Sequence, residues 1–212
     1  MIRGRPMILL AAALSLGGCV DALLGGAKRV QLYRLDGQAP PPVAAMARDA
    51  VPGRAILLLP VRFAPEIDGD RLLTVRGRAA LYIRDARWVA PTPDLFAREM
   101  ERIFAAQAPN ILLTSARQPS AARHALQVTI DTFEASYAEG ASAEAAPLIR
   151  IEGEARLIST TDRRVMAVRR FVATAPASEN RVGAIVAAFA TATDVYLGQL
   201  AGWTSSATMA QP

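Results

Sequence analysis

Ile149-Arg150-Ile151-Glu152-Gly153-Glu154-Ala155-Arg156-Leu157 alternates apolar and charged side chains, and a second extended run over residues 165–173 follows it across Ser159-Thr160-Thr161-Asp162. Successive side chains of a strand point to opposite faces, so Ile149, Ile151, Ala155 and Leu157 share a dry side while Arg150, Glu152, Glu154 and Arg156 share a wet one. Turn-forming residues between the two runs predict an antiparallel hairpin. For the second run, period two does not assign the inward face, because Arg169 and Arg170 fall one on each side.

The same reading extends toward the N-terminus. Leu126, Val128 and Ile130 alternate with Gln127, Thr129 and Asp131, which predicts another half-buried strand. Ala55-Ile56-Leu57-Leu58-Leu59-Pro60-Val61 is a continuous apolar run, the pattern of a strand covered on both faces. Pro65-Glu66-Ile67-Asp68-Gly69-Asp70 is rich in turn formers, and residues 72–83 alternate well enough for two extended pieces. Val30-Gln31-Leu32-Tyr33-Arg34-Leu35 suggests a brief first strand, broken by Gln38-Ala39-Pro40-Pro41-Pro42.

Two segments carry helical spacing instead. Thr92-Pro93-Asp94 is a helix start, with a capping hydroxyl, Pro at the first helical position and an acid in the first turn. Leu95, Phe96, Met100, Ile103 and Phe104 then share one face until Pro109-Asn110 stops the helix. Val182, Ile185, Val186, Phe189, Thr193, Leu197 and Leu200 mark a second helix over residues 178–202, and Asp194 within it argues against a membrane span. The expected fold is α+β, a mainly antiparallel sheet of five to six strands with two amphipathic helices packed on one face. It occupies residues 30–203 as a single domain, with a loose tail over 204–212.

The N-terminus reads as export machinery. Met1-Ile2-Arg3-Gly4-Arg5 is a positive n-region, and Met7-Ile8-Leu9-Leu10-Ala11-Ala12-Ala13-Leu14 an uncharged apolar core, too short for the ~20 residues of a spanning helix. It closes on Leu16-Gly17-Gly18-Cys19, which resembles the bacterial lipobox. The thiol is the nucleophile that takes a diacylglyceryl group, and the small residues before it let a peptidase approach. Cys19 is the single cysteine of the chain, so no internal disulfide competes for it. Residues 1–18 are thus expected to be removed and residues 19–29 to form a tether, about 18 Å in mean span if flexible and about 40 Å fully extended. Val20 follows the cysteine, with Asp21 one position later. Proteobacterial sorting retains lipoproteins with Asp directly after the cysteine, so the analogy favours the outer membrane over the inner.

Composition excludes much else. Removing Arg3 and Arg5 leaves 22 basic against 19 acidic residues, interleaved along the chain, which describes solvated faces and no nucleic-acid stripe. His124 is the only histidine, at the start of a strand, so neither a Cys-His pair nor a histidine metal cluster can be assembled. A phosphate-binding loop is missing too, since Lys28, the only lysine, precedes Arg29. The chain reads as no enzyme. No catalytic residue, metal or cofactor is expected beyond the covalent lipid on Cys19.

Several short stretches, in order, resemble the ABC-type transport auxiliary lipoprotein family. They are Tyr33-Arg34-Leu35, Ile56-Leu57-Leu58-Leu59-Pro60-Val61, Pro65-Glu66-Ile67-Asp68, Leu73-Thr74-Val75-Arg76, Leu81-Tyr82-Ile83 and Arg87-Trp88 running into a helix. Ile130-Asp131-Thr132-Phe133, the strand holding Phe171 and the terminal helix complete the series. The resemblance implies a non-catalytic lipoprotein working with an ABC ATPase, a permease and an MCE-domain protein in lipid or organic-solvent transport. It would face the periplasm and dock on the MCE protein. Arg76, Arg87 and Trp88 are candidate contacts, since Arg beside Trp is typical of interface hot spots. Core packing for Trp88 and a local ion pair for Arg76 is the other reading. Two further roles stay open: a lipid-binding carrier using the groove between sheet and helices, and a subunit of outer-membrane assembly machinery.

Overall fold

The computed structural model describes residues 30–36, 55–115 and 122–210. In chain order the elements are β1 (Gln31–Tyr33), β2 (Ala55–Leu58), β3 (Arg62–Phe63), β4 (Arg71–Arg76), β5 (Ala79–Trp88), α1 (Thr92–Gln107), β6 (Leu112–Thr114), β7 (His124–Tyr137), β8 (Leu148–Ser159), β9 (Val165–Pro176) and α2 (Val182–Met209). The long strand β7 organises them. One of its edges is occupied by antiparallel β8, from His124 beside Ser159 to Ser136 beside Leu148, and β9 extends the sheet beyond β8. The other edge is shared in series by β2, β3 and β4, all parallel to β7. Outside these lie β6 along β2, β5 along β4 and β1 along β5.

The sheet is therefore nine-stranded and mixed, which corrects the expectation of five to six mainly antiparallel strands. The α+β class and the two helices stand. The cause is physical. Between residues 55 and 76 the chain advances in one direction beside β7, interrupted at Pro60 and by a 3₁₀ turn at Pro65–Ile67. The short strands β1, β3 and β6 have two or three residues each, too few to display a period.

The predicted dry faces are buried. Leu126, Val128 and Ile130 on β7, and Ile149, Ile151, Ala155 and Leu157 on β8, are all fully enclosed. The β7–β8 register skips between Ile130 and Thr132, so Asp131 is bulged aside and Phe133 and Ala135 resume the inward face. On β9 the inward residues are Phe171, Ala173 and Ala175. Arg169 lies on Phe171's side and stays exposed by packing its guanidinium 5.3 Å from that ring's centre, while Arg170 on the other side reaches Asp131 at 3.0 Å.

The two helices cover this inward face through an aromatic network. Phe189 of α2 stacks on Phe133 with centroids 4.8 Å apart and meets Trp88 edge-on at 5.5 Å. Tyr196 meets Phe96 of α1 and Phe171 of β9, both at 5.8 Å. Gly153 lies under this contact. A Cβ there would run into the Thr129 carbonyl oxygen and come within 2.8 Å of the Tyr196 hydroxyl, so only glycine lets α2 approach β8 this closely.

Two helix boundaries differ from expectation. The Thr92 hydroxyl does not cap α1; it donates to the Gly69 carbonyl at 2.7 Å, and the Thr92 N–H donates to the same oxygen at 3.0 Å. The helix start is thereby tied to the turn before β4. At the other end, α2 begins at Val182 and continues past Gly202 to Met209, with Thr204 wholly buried, so residues 204–209 are helical where a loose tail was expected. By length and composition α2 could cross a membrane. It is instead laid on the sheet, and Asp194 pairs with Arg102 of α1 at 2.7 Å. From Gln31 onward the chain forms one compact unit.

Between β4 and β5 the turn places Gly77 at φ 57°, where a side chain would be strained. Further along, the register passes from Leu73 beside Tyr82 to Arg71 beside Arg87, so β5 carries extra residues there. Asp85, at φ 57°, sits in that bulge. The insertion turns Ala86 and Trp88 inward.

Candidate functional site

Cys19 and the lipobox residues Leu16, Gly17 and Gly18 lie outside the described residues. The candidate contacts Arg76, Arg87 and Trp88 are described, and they do not form one patch. Trp88 is 2% exposed, held by edge contacts to Phe133 and Phe189, and is part of the core. Arg87 sits beside Arg71 and pairs with Asp70 at 2.8 Å, both side chains nearly half exposed. Arg76 is five positions from Arg71 along β4, about 17 Å at strand rise. Its guanidinium lies over the Tyr137 ring at 4.6 Å and donates to the Ala141 carbonyl at 2.6 Å. The Tyr137 hydroxyl donates to Asn180, whose amide donates to the Ala143 carbonyl, so Arg76 belongs to a latch on loop 138–147. Burial pushes the Tyr137 phenol up, opposed by the Arg76 charge.

The wet strand face is the more coherent surface. On the side of the sheet away from the helices, β8 presents Arg150, Glu152, Glu154 and Arg156. Arg150 pairs with Glu152 and Arg156 with Glu154, the latter at 2.7 Å. Beside them on β9, Val168 lies opposite Arg156, Arg170 opposite Glu154, and Val172 opposite Glu152. Val168 and Val172 are 52% and 51% exposed. On β7, Glu134 lies opposite Arg150. Burial raises the Glu134 carboxyl above its usual range; Arg150 opposes this, and Glu152 and Glu66 reinforce it. Sequence reasoning found the charges of β8 by their alternation. It missed the flanking valines, because Arg169 and Arg170 hid the period of β9.

Burial, and then the charge of Arg123, lowers the pKa of His124 from its ordinary value. Among the described residues no three His, Cys, Asp or Glu side chains are grouped to hold a metal ion. The interface between sheet and helices, where a lipid carrier would place its cargo, is filled by the aromatic network. A cleft of about 350 Å³ lies elsewhere, between residues 58–61, Ala97 and Glu101 of α1, and Leu113 of β6.

This arrangement of a mixed sheet and two helices recurs in solved structures. Protein XCC0632 from Xanthomonas campestris is 24% identical, with a TM-score of 0.70 over 85% of this chain and 97% of its own. An uncharacterised protein is 16% identical, with a TM-score of 0.62 over 82% and 97%. The hypothetical protein CT253 from Chlamydia trachomatis is 10% identical, with a TM-score of 0.50 over 74% and 98%. At such identities these likenesses establish the fold. No curated protein matches the chain. The family described as ABC-type transport auxiliary lipoprotein component matches residues 33–201, and the chain belongs to that family.

Proposed function

We propose that this chain is a non-catalytic, lipid-anchored subunit of an ABC transport system of the MCE type. In this reading the acylated Cys19 holds it to the membrane, the outer one by the identity of Val20, and the domain docks on the periplasmic MCE protein. Working with the permease and ATPase of that system, it assists movement of lipid or organic solvent across the envelope. Membership of the auxiliary lipoprotein family supports the setting. The observation that carries the docking role is the uncovered sheet face, where half-exposed Val168 and Val172 flank the paired charges of β8. Apolar side chains spaced among charges, Val168 and Val172 on either side of Arg170, suit a polar-rimmed protein interface.

Copurification from native membranes tests this reading. The tagged chain is expected to bring down the MCE protein encoded beside it. Combining Arg156→Glu with Val172→Asp should cut recovery about thirtyfold, the equivalent of about 2 kcal/mol at an interface anchor, and leave the amount of folded chain unchanged. Unchanged recovery would place the docking surface elsewhere. No association of the parent chain would remove the MCE reading.

A further inference from the structure

The chain enters the domain at Gln31, and β1 runs parallel to β5 with Gln31 beside Ala86. Since β5 itself starts at the turn after Gly77, β1 comes from the side of the β4–β5 hairpin tip. Arg76 lies beside Ala79 and Arg71 beside Arg87, so counting along β4 puts Ala79 about 15 Å from Ala86. Twelve peptide steps separate Cys19 from Gln31. That length spans about 19 Å on average if flexible and about 40 Å at most. A tether of that length is long enough to let a membrane that holds Cys19 meet the hairpin tip. The turn joining β8 to β9 is at the opposite end of the sheet, because Arg76 lies beside Tyr137 whereas Ser159 lies beside His124. Those two ends of β7 are about 44 Å apart.

What the tip displays suits phospholipid. Leu81, two residue pairs from the Arg76–Ala79 end of the hairpin, is 67% exposed, the most of any large apolar residue in the described strands. The hairpin carries Arg76, Arg78 and Arg84 with one acid, Asp85, while Arg87 at its far end is paired with Asp70. Arg76, Arg78 and Arg84 are exposed. The adjoining loop adds Glu139 and Glu144, so the basic character is confined to the hairpin itself. We infer that the β4–β5 hairpin is seated on the bilayer that holds the anchor. Leu81 enters the boundary between headgroups and acyl chains, and Arg78 and Arg84 meet lipid phosphates. This inference rests on the reading of Cys19 as acylated.

The test uses the full chain in native membranes, with photoreactive p-benzoylphenylalanine in place of Leu81 in one variant and of Thr161 in another. After irradiation, intact masses should show phospholipid adducts at position 81 at least about tenfold above those at position 161. Equal labelling at the two ends, no adduct at 81, or capture of protein alone at 81 would overturn the seating. The same spectra report the N-terminus. An acylated chain lacking the adduct at 81 refutes the hairpin contact alone, whereas a chain without acyl groups refutes the anchor and the seating together.

Discussion

Replacing Trp88 by alanine separates a core role from a contact role. The indole is 2% exposed and wedged between Phe133, 6.3 Å away by ring centroid, and Phe189 at 5.5 Å. Emptying such a site costs about 3–5 kcal/mol, the lost transfer energy plus the cavity left by incomplete relaxation. For a domain of this size each kcal/mol lowers the melting temperature by about 2–4 °C, so Trp88→Ala should melt about 10 °C below the parent. Arg87→Ala is the matched control. Its pair with Asp70 is nearly half exposed on both sides, and such pairs contribute about 0–1 kcal/mol, so its melt should fall by less than about 4 °C. Circular dichroism at the helix band follows both without relying on tryptophan emission. A Trp88→Ala melt within about 3 °C of the parent would refute the core assignment and restore the residue as a candidate contact.

Gly153→Ala should destabilise by about 1–3 kcal/mol, since the new methyl meets the Thr129 carbonyl and the Tyr196 hydroxyl, and adding Tyr196→Phe should recover part of that loss in urea unfolding. Tyr196→Phe alone should be at least as stable as the parent, because the hydroxyl is buried without a hydrogen-bond partner among the described residues. Glu134→Gln should stabilise the protein at pH 7. The folded-state pKa of Glu134 is raised above 4.5, so the folded state holds its proton more tightly than the unfolded chain and stability falls as pH rises through that window. The advantage of the Gln variant in urea midpoint should therefore shrink toward zero below pH 4.5, and an advantage equal at all pH values would contradict the assignment.

How much could be read beforehand depended on length and environment. The β8 pattern was legible because its dry and wet faces alternate over nine residues, and the structure buries Ile149, Ile151, Ala155 and Leu157 as expected. Strand β3 was not, because Arg62 and Phe63 gain their strand character only from pairing with Thr129 and Ile130 far along the chain. The Thr92 hydroxyl obeyed a local rule that a tertiary contact overrode, its partner being Gly69 and not the helix's own N–H groups. Trp88 and Arg87 are adjacent in sequence yet part company in space, one turned inward by the bulge at Asp85 and the other outward to Asp70. The assignment of Cys19 rests on chemistry alone, since a single thiol after Leu16-Gly17-Gly18 has few other uses, and the residue lies outside the described ones. The valines at 168 and 172 needed the structure.

Both the docking role and the hairpin seating depend on Cys19 holding the chain at a membrane. The most direct measurement is the intact mass of the protein extracted from native membranes, with Cys19→Ser alongside. The parent is expected to begin at residue 19 and to carry acyl groups there, while Cys19→Ser remains an uncleaved or soluble precursor. A parent chain with an unmodified N-terminus would contradict the lipoprotein assignment and the functional reading built on it.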